Sequence, residues 1–161
     1  MPAGSGGGAR RPALQPSLKG RALRLLGQRE HSRRELERKL RDHESEPGAL
    51  QQVLDELQAQ GYLSERRVAE SLVHRRAGQL GAARLRQELQ DKGLARELIE
   101  QTLAGLQDSE LQRARAVWAR RFGAAPADAR ERARQARFLQ ARGFAPEVIR
   151  RVLAAAGSDE G

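Results

Sequence analysis

The chain has 161 residues, carries 30 Lys and Arg against 21 Asp and Glu, and contains no Cys. That length fits one ordinary domain or an array of small repeats, the lack of Cys excludes disulfides and thiol chemistry and fits a reducing compartment, and the net charge of +9 points to an anionic partner. No apolar run of about 18 residues is present to span a bilayer, and Met1–Pro12 lacks the apolar stretch of a secretory signal, so a cytoplasmic protein without membrane contact is expected.

Residues 1–17 are Gly, Pro, Ser and Arg with little that is apolar, the composition of a disordered tail. Leu18, Ala22, Leu25 and Leu26 then recur on one face and predict a first helix ending near Gly27. Ser32-Arg-Arg-Glu35 has the form of a capping box, whose hydroxyl and carboxylate satisfy orphan N–H groups at a helix start, and Leu36 and Leu40 give the second helix its apolar stripe. Pro47 suits the first turn of a third helix with Leu50, Val53, Leu54 and Leu57 as its buried face and Gly61 at its end.

The same plan recurs downstream. Ser64 caps a helix carrying Val68, Ala69, Leu72 and Val73, the stretch Gly78 to Gly81 breaks it, Leu85 and Leu89 define a fifth helix closed by Gly93, and Leu98, Ile99, Leu103 and Leu106 form a sixth. Asp108 or Ser109 then caps a helix with Leu111, Ala114, Val117, Trp118 and Phe122; Gly123 to Pro126 interrupts. Ala129, Ala133, Ala136 and Leu139 build the eighth helix, Gly143 stops it, and Pro146 opens a ninth with Val148, Ile149, Val152 and Leu153. No segment alternates with the period of a strand, so the class is all-α.

One stretch repeats outright: Leu89-Gln-Asp-Lys-Gly-Leu-Ala-Arg-Glu-Leu-Ile99 returns as Leu139-Gln-Ala-Arg-Gly-Phe-Ala-Pro-Glu-Val-Ile149. A more divergent copy places Leu36, Leu40, Leu50, Leu54 and Leu57 in register with Leu85, Leu89, Ile99, Leu103 and Leu106. The fold expected is an elongated array of three tandem three-helix repeats over residues 18–61, 62–107 and 108–156, with a second disordered tail at 157–161.

Within that frame, catalytic and cofactor chemistry find no residues to carry them. Gly78-Gln-Leu-Gly81 lacks the length, the Lys and the Ser/Thr of a phosphate-binding loop. His31, His43 and His74 have no paired-ligand spacing, so no metal and no cofactor is expected; Asp55 and Glu56 read as solvated surface rather than as an acid/base pair. Tyr62 reads as packed under a unit junction with its hydroxyl outward, and Trp118 and Phe122 as core.

The positive signal is basic. Residues 1–43 hold 11 basic and 4 acidic groups, residues 44–110 hold 8 and 12, and residues 111–153 hold 11 and 3, so both ends are cationic around an acidic middle. Arg34, Arg38 and Arg41 recur at i, i+4 and i+7 on the second helix, opposite its leucines, and Arg130, Arg134 and Arg137 repeat that spacing on the eighth. Such rows hold phosphates or carboxylates through guanidinium forks. The competing reading is a solvated face paired locally with Glu35, Glu37 or Glu131. Arg66, Arg67, Arg75 and Arg76 form a further candidate set among neighbouring acids.

The segments Ser32-Arg-Arg-Glu-Leu-Glu-Arg-Lys-Leu40, Val53-Leu-Asp-Glu-Leu57, Gly61-Tyr-Leu-Ser-Glu65, Arg67-Val-Ala69 with Arg75-Arg76, Leu89 to Gly93, and Phe138-Leu-Gln-Ala-Arg-Gly-Phe144 together resemble the RecX family of recombination regulators, over roughly Leu18 to Leu153. The chain departs from that family's pattern at Ser64-Glu65, where an acidic pair is usual, and at Val68, where an aromatic is. The resemblance implies a non-enzymatic cytoplasmic protein, expected as a monomer, that lies along the RecA filament on single-stranded DNA. It implies inhibition of that filament's ATPase, recombinase and co-protease activities, the last of which triggers the SOS response. The ten arginines above are then the candidate contacts to RecA and DNA, with weak direct DNA binding. A helix-turn-helix transcription regulator is the alternative.

Overall fold

The computed structural model describes residues 15–158, which form nine α-helices and two short 3-10 turns and contain no strand. In chain order the helices are α1 (Leu18–Gln28), α2 (Arg33–Leu40), α3 (Ala49–Ala59), α4 (Glu65–Arg76), α5 (Ala82–Asp91), α6 (Arg96–Ala104), α7 (Glu110–Arg121), α8 (Ala129–Ala141) and α9 (Pro146–Ser158). The tails expected over residues 1–17 and 157–161 lie mostly outside the described residues. Ser17, at the end of the first, is the N-cap of α1, its Oγ accepting the Gly20 N–H at 3.0 Å, and α9 runs through Ser158.

The helices pack in threes, α1 with α2 and α3, α4 with α5 and α6, α7 with α8 and α9, and each triplet closes on its own apolar cluster. Leu36, Leu54 and Leu57 are fully buried in the first unit, Leu80, Leu85 and Leu89 in the second, and Leu139, Val152 and Phe144 in the third. With about seven buried apolar side chains per unit, each cluster contributes roughly 10–20 kcal/mol before the entropy of ordering the helices is set against it. A unit of that size gains from neighbours on its open sides, which an array supplies.

Several helix ends differ from their sequence reading. Pro47 lies in the turn before α3, and Gly48, at φ +87°, is the residue from which that helix starts. Ser109 does not cap α7 with its side chain: a 3-10 turn over Gln107–Ser109 runs straight into the helix, and the Ser109 Oγ donates back to the Leu106 carbonyl at 3.0 Å. On α8, Ala129 and Ala133 are exposed, and the inward line is Gln135 and Leu139, with Ala136 and Phe138 half-buried. Gln135 is tolerated there because its amide is bonded on both sides: Trp118 Nε1–H donates to Oε1 at 2.8 Å, and Nε2–H donates to the Ala124 carbonyl at 3.2 Å. Tyr62 is 55% exposed instead of packed under a junction, because after Gly61 turns the chain it is Leu63 that enters the core.

Two joints hold the units in series, and they share one device. The first residue of α4, Glu65, accepts the N–H of Arg33, the first residue of α2, at 2.9 Å; the first residue of α7, Glu110, accepts the N–H of Ala82, the first residue of α5, also at 2.9 Å. Each unit's leading carboxylate thus satisfies an orphan amide at the head of the previous unit's second helix, where the helix dipole favours negative charge. Burial pushes the Glu65 carboxyl above its ordinary range, against the hydrogen bond from Arg33.

The repeated motif of the sequence supplies the rest of each joint. Gly93 and Gly143 are both left-handed, at φ +78° and +91°, and end α5 and α8 in the same pair of bonds: Gly93 N–H to the Gln90 carbonyl and Leu94 N–H to the Leu89 carbonyl, Gly143 N–H to Gln140 and Phe144 N–H to Leu139. A Cβ on Gly93 would meet the Arg34 side chain, and one on Gly143 would meet the backbone of Arg84, so each glycine is also the point of closest approach to the preceding unit. At the second joint the backbones bond directly, Gly81 N–H to the Arg142 carbonyl at 2.8 Å and Ala83 N–H to the Gly143 carbonyl at 3.2 Å.

Candidate functional site

The candidate arginines stand on one helix of each unit, α2, α4 and α8, with Arg41 in the 3-10 turn that follows α2. The start of α2 is fixed by the capping box read from sequence: Ser32 Oγ accepts the Glu35 N–H at 3.2 Å, and Glu35 Oε1 accepts the Ser32 N–H at 3.1 Å. From that start, Arg34 and Arg38 are exposed on α2 and Arg41 is exposed in the tighter 3-10 turn that follows. Arg34 lies against Gly93, with Nη1 donating to the Gln90 carbonyl at 3.4 Å. Arg38 and Arg41 have no side-chain hydrogen bond or ion pair among the described residues.

On α4 the four candidates divide in two. Arg67 donates to Glu30 at 2.9 Å and to the carbonyls of Gly61 and Tyr62 at 2.7 and 3.1 Å, so it braces the first joint. Arg76 donates to Glu88 Oε1 and Gln79 Oε1, both at 3.1 Å, within its own unit. Arg66 and Arg75 are exposed, and among the described residues nothing pairs with them.

On α8 the start is set by Asp128, whose Oδ1 accepts the Glu131 N–H at 2.8 Å, a cap that sequence reading did not register. Arg130, Arg134 and Arg137 are all exposed on the face opposite Gln135 and Leu139. Arg134 is paired with Glu131 at 3.0 Å, whereas Arg130 and Arg137 have no such partner among the described residues.

An aromatic group lies beside them: Phe122 and Phe138 meet edge to face with centroids 5.4 Å apart, and the guanidinium groups of the candidate Arg134 and of Arg121 and Arg142, which the sequence reading did not select, lie over their rings. Phe122 is half-buried in this cluster and not core. Its signal in the sequence is Phe138, which immediately precedes the repeated motif at the place occupied by Glu88 one repeat earlier.

The remaining polar chemistry is structural. His31 is 1% exposed; its Nε2 accepts from Lys39 Nζ at 3.0 Å, which leaves the proton on Nδ1 to donate to the Arg29 carbonyl at 3.0 Å. Burial lowers its pKa from the ordinary value, with the nearby positive charges of Arg29 and Lys39 acting in the same direction. Asp55 pairs with Arg33 and Glu56 with Lys19, on separate partners. Among the described residues no three His, Asp or Glu side chains converge to hold a metal ion, and no helix is long and apolar enough to cross a membrane.

The three units correspond to known sequence domains. Residues 19–57 match the model of the RecX first three-helix domain, residues 64–103 the second and residues 108–153 the third. A regulatory protein RecX from Leptothrix cholodnii is 56% identical over 143 residues, spanning 89% of this chain and 90% of that protein. The chain belongs to the RecX family. Another member, the regulatory protein RecX of Ralstonia pickettii, is 49% identical over 92% of both chains. The RecX fold is also met in the crystal structure of RecX from Lactobacillus salivarius, with a TM-score of 0.74 at 20% identity over 87% of this chain and 94% of that one. In this RecX-family member Val68 is buried in the core of the second unit.

Proposed function

We propose that this RecX-family protein is a negative modulator of RecA, which binds the RecA filament on single-stranded DNA and inhibits its ATPase, recombinase and co-protease activities. Membership of a family of regulatory proteins carries the reading. The chain's own chemistry supports it: exposed guanidinium groups stand on α2, α4 and α8, so cationic groups recur along the array. In this reading Arg38 and Arg41, with Arg34 beside the first joint, form one contact, Arg66 and Arg75 a second, and Arg130, Arg134 and Arg137 a third. Arg67 and Arg76 act by holding their units in place.

The mechanism we assign is occlusion. A rigid array that touches neighbouring protomers at separate points blocks docking of the next RecA and obstructs the second DNA strand. The working state is a monomer in the cytoplasm, carrying no cofactor.

The test is a titration of the chain against ATP hydrolysis by the cognate RecA on single-stranded DNA. The wild-type chain is expected to inhibit, and the triple variant Arg130→Glu, Arg134→Glu, Arg137→Glu to lose inhibition with its helix content unchanged. Inhibition that survives the triple change removes α8 from the contact. No effect of the wild-type chain at any ratio removes RecA as the target.

A further inference from the structure

Units two and three can be superposed by their chemistry. Helices α4 and α7 both have 12 residues and begin on the glutamate that makes the joint, so Arg76 and Arg121 occupy the same final position. The repeated motif makes Glu88 equivalent to Phe138 and Lys92 equivalent to Arg142. In unit two these cations are neutralised, Arg76 by Glu88 at 3.1 Å and Lys92 by Glu35 at 3.0 Å.

Unit three replaces the carboxylate with an aromatic ring. The guanidinium carbon of Arg121 lies 5.4 Å from the Phe138 centroid and 5.8 Å from that of Phe122, and that of Arg142 lies 5.1 Å from Phe138. Among the described residues neither Arg121 nor Arg142 has a side-chain hydrogen bond or an ion pair. A ring face attracts a guanidinium through its π cloud without occupying the N–H donors, which an ion pair does occupy. Arg120, Arg121 and Arg142, with Gln79, Val117 and Phe138, line a hollow of about 420 Å³ where unit three meets the α4–α5 connection, and no carboxylate lines it. Arg120 is anchored at the rim by its bond to the Gly78 carbonyl at 2.7 Å.

We propose that this hollow binds single-stranded nucleic acid, with phosphates on Arg121 and Arg142 and a base against the surface formed by these guanidinium groups and Phe138. The cation excess asks for an anion, and the aromatic component adds affinity only for a ligand with a flat π face, which nucleic acid has and an acidic peptide lacks. A recess of this size admits a splayed base and its phosphate, whereas duplex bases are stacked out of reach. The assignment concerns bare nucleic acid and stands apart from the RecA reading.

The experiment is fluorescence anisotropy of a labelled oligodeoxythymidine with the full chain and no recombinase present. Phe138→Glu rebuilds the ion pair of unit two and is expected to keep the helices while closing the site; Arg121→Gln with Arg142→Gln removes the forks directly. Both should weaken binding about tenfold, and the double variant should flatten the log–log salt slope by about 1.4, the value for two single-strand phosphate contacts. Controls of equal charge change on α9, Arg151→Gln alone and with Arg150→Gln, should change affinity less than about twofold. Should Phe138→Glu lose helix content, the double arginine variant decides. Equal weakening in the controls, an unchanged salt slope, or poly-glutamate competing as well as the oligonucleotide would overturn the assignment. None of these outcomes bears on the ATPase titration, so the two readings fail separately.

Discussion

Glu35 carries the charge chemistry of the first joint, and replacing it with Gln tests that chemistry with almost no change in volume. Its carboxylate accepts from Arg29 Nη2 at 2.7 Å, from Lys92 Nζ at 3.0 Å and from the Ser32 N–H at 3.1 Å. Burial opposes the charged form, but the hydrogen bonds from Arg29, Lys92 and Ser32 outweigh it and hold the pKa at about 2, down from an ordinary 4.5. A carboxyl depressed by folding contributes stability that is fully present above its unfolded pKa and is lost as pH falls through the folded one. The difference corresponds to a ceiling of about 3 kcal/mol at pH 7; because the Arg29 side chain is 44% exposed, solvent screening reduces the expected loss for Glu35→Gln to about 2 kcal/mol. By pH 3 the gap between wild type and variant should narrow to about 1 kcal/mol, and by pH 2 it should nearly vanish. Urea unfolding followed by helical circular dichroism at each pH gives the comparison. A gap that is the same at pH 7 and pH 3, or one below about 0.5 kcal/mol at pH 7, would refute the reasoning.

Two further outcomes follow from the packing. Gly143→Ala adds a Cβ at φ +91° against the Arg84 backbone, while Gly48→Ala does so at φ +87° in open space; the second should cost about 1 kcal/mol and the first about 3 kcal/mol or more, read as a larger fall in melting temperature. Trp118→Phe removes the donor to Gln135, which is 2% exposed, and should destabilise unit three by about 1–2 kcal/mol in urea unfolding, part of which Gln135→Leu restores by removing the stranded acceptor.

What the sequence revealed, and what it concealed, follows from the range of each interaction. The capping box of Ser32 and Glu35 and the Ser64 cap close within three residues, so their pattern is visible in a short window. Gly93 and Gly143 were marked by their place in a repeated motif, and their left-handed backbone confirms them as chain-turning residues. The leucines at helical spacing identified each unit's core because burial follows periodicity directly. By contrast, Glu65 and Glu110 bond to amides 32 and 28 residues upstream, and nothing local distinguishes them from any helix-starting glutamate. Periodicity also misassigned α8, where small exposed alanines imitate an apolar face and the inward position belongs to a glutamine whose partners lie on other segments. Among the candidate arginines of α4, nothing in the sequence separates Arg67 from Arg66; only the carbonyls and carboxylate around Arg67 distinguish a brace from an exposed cation.

The joint has a direction. Where α4 and α7 begin on Glu65 and Glu110, α1 begins on Leu18 and has no acid in its first turn. At the other end, Asp128 caps α8 as Ser32 caps α2, and among the described residues no glutamate from another unit reaches the amide of Ala129, the first residue of α8. The joint therefore runs one way: each glutamate reaches back to the amide that opens the second helix of the preceding unit, so a change at Glu65 or Glu110 loosens a helix start 32 or 28 residues upstream of itself.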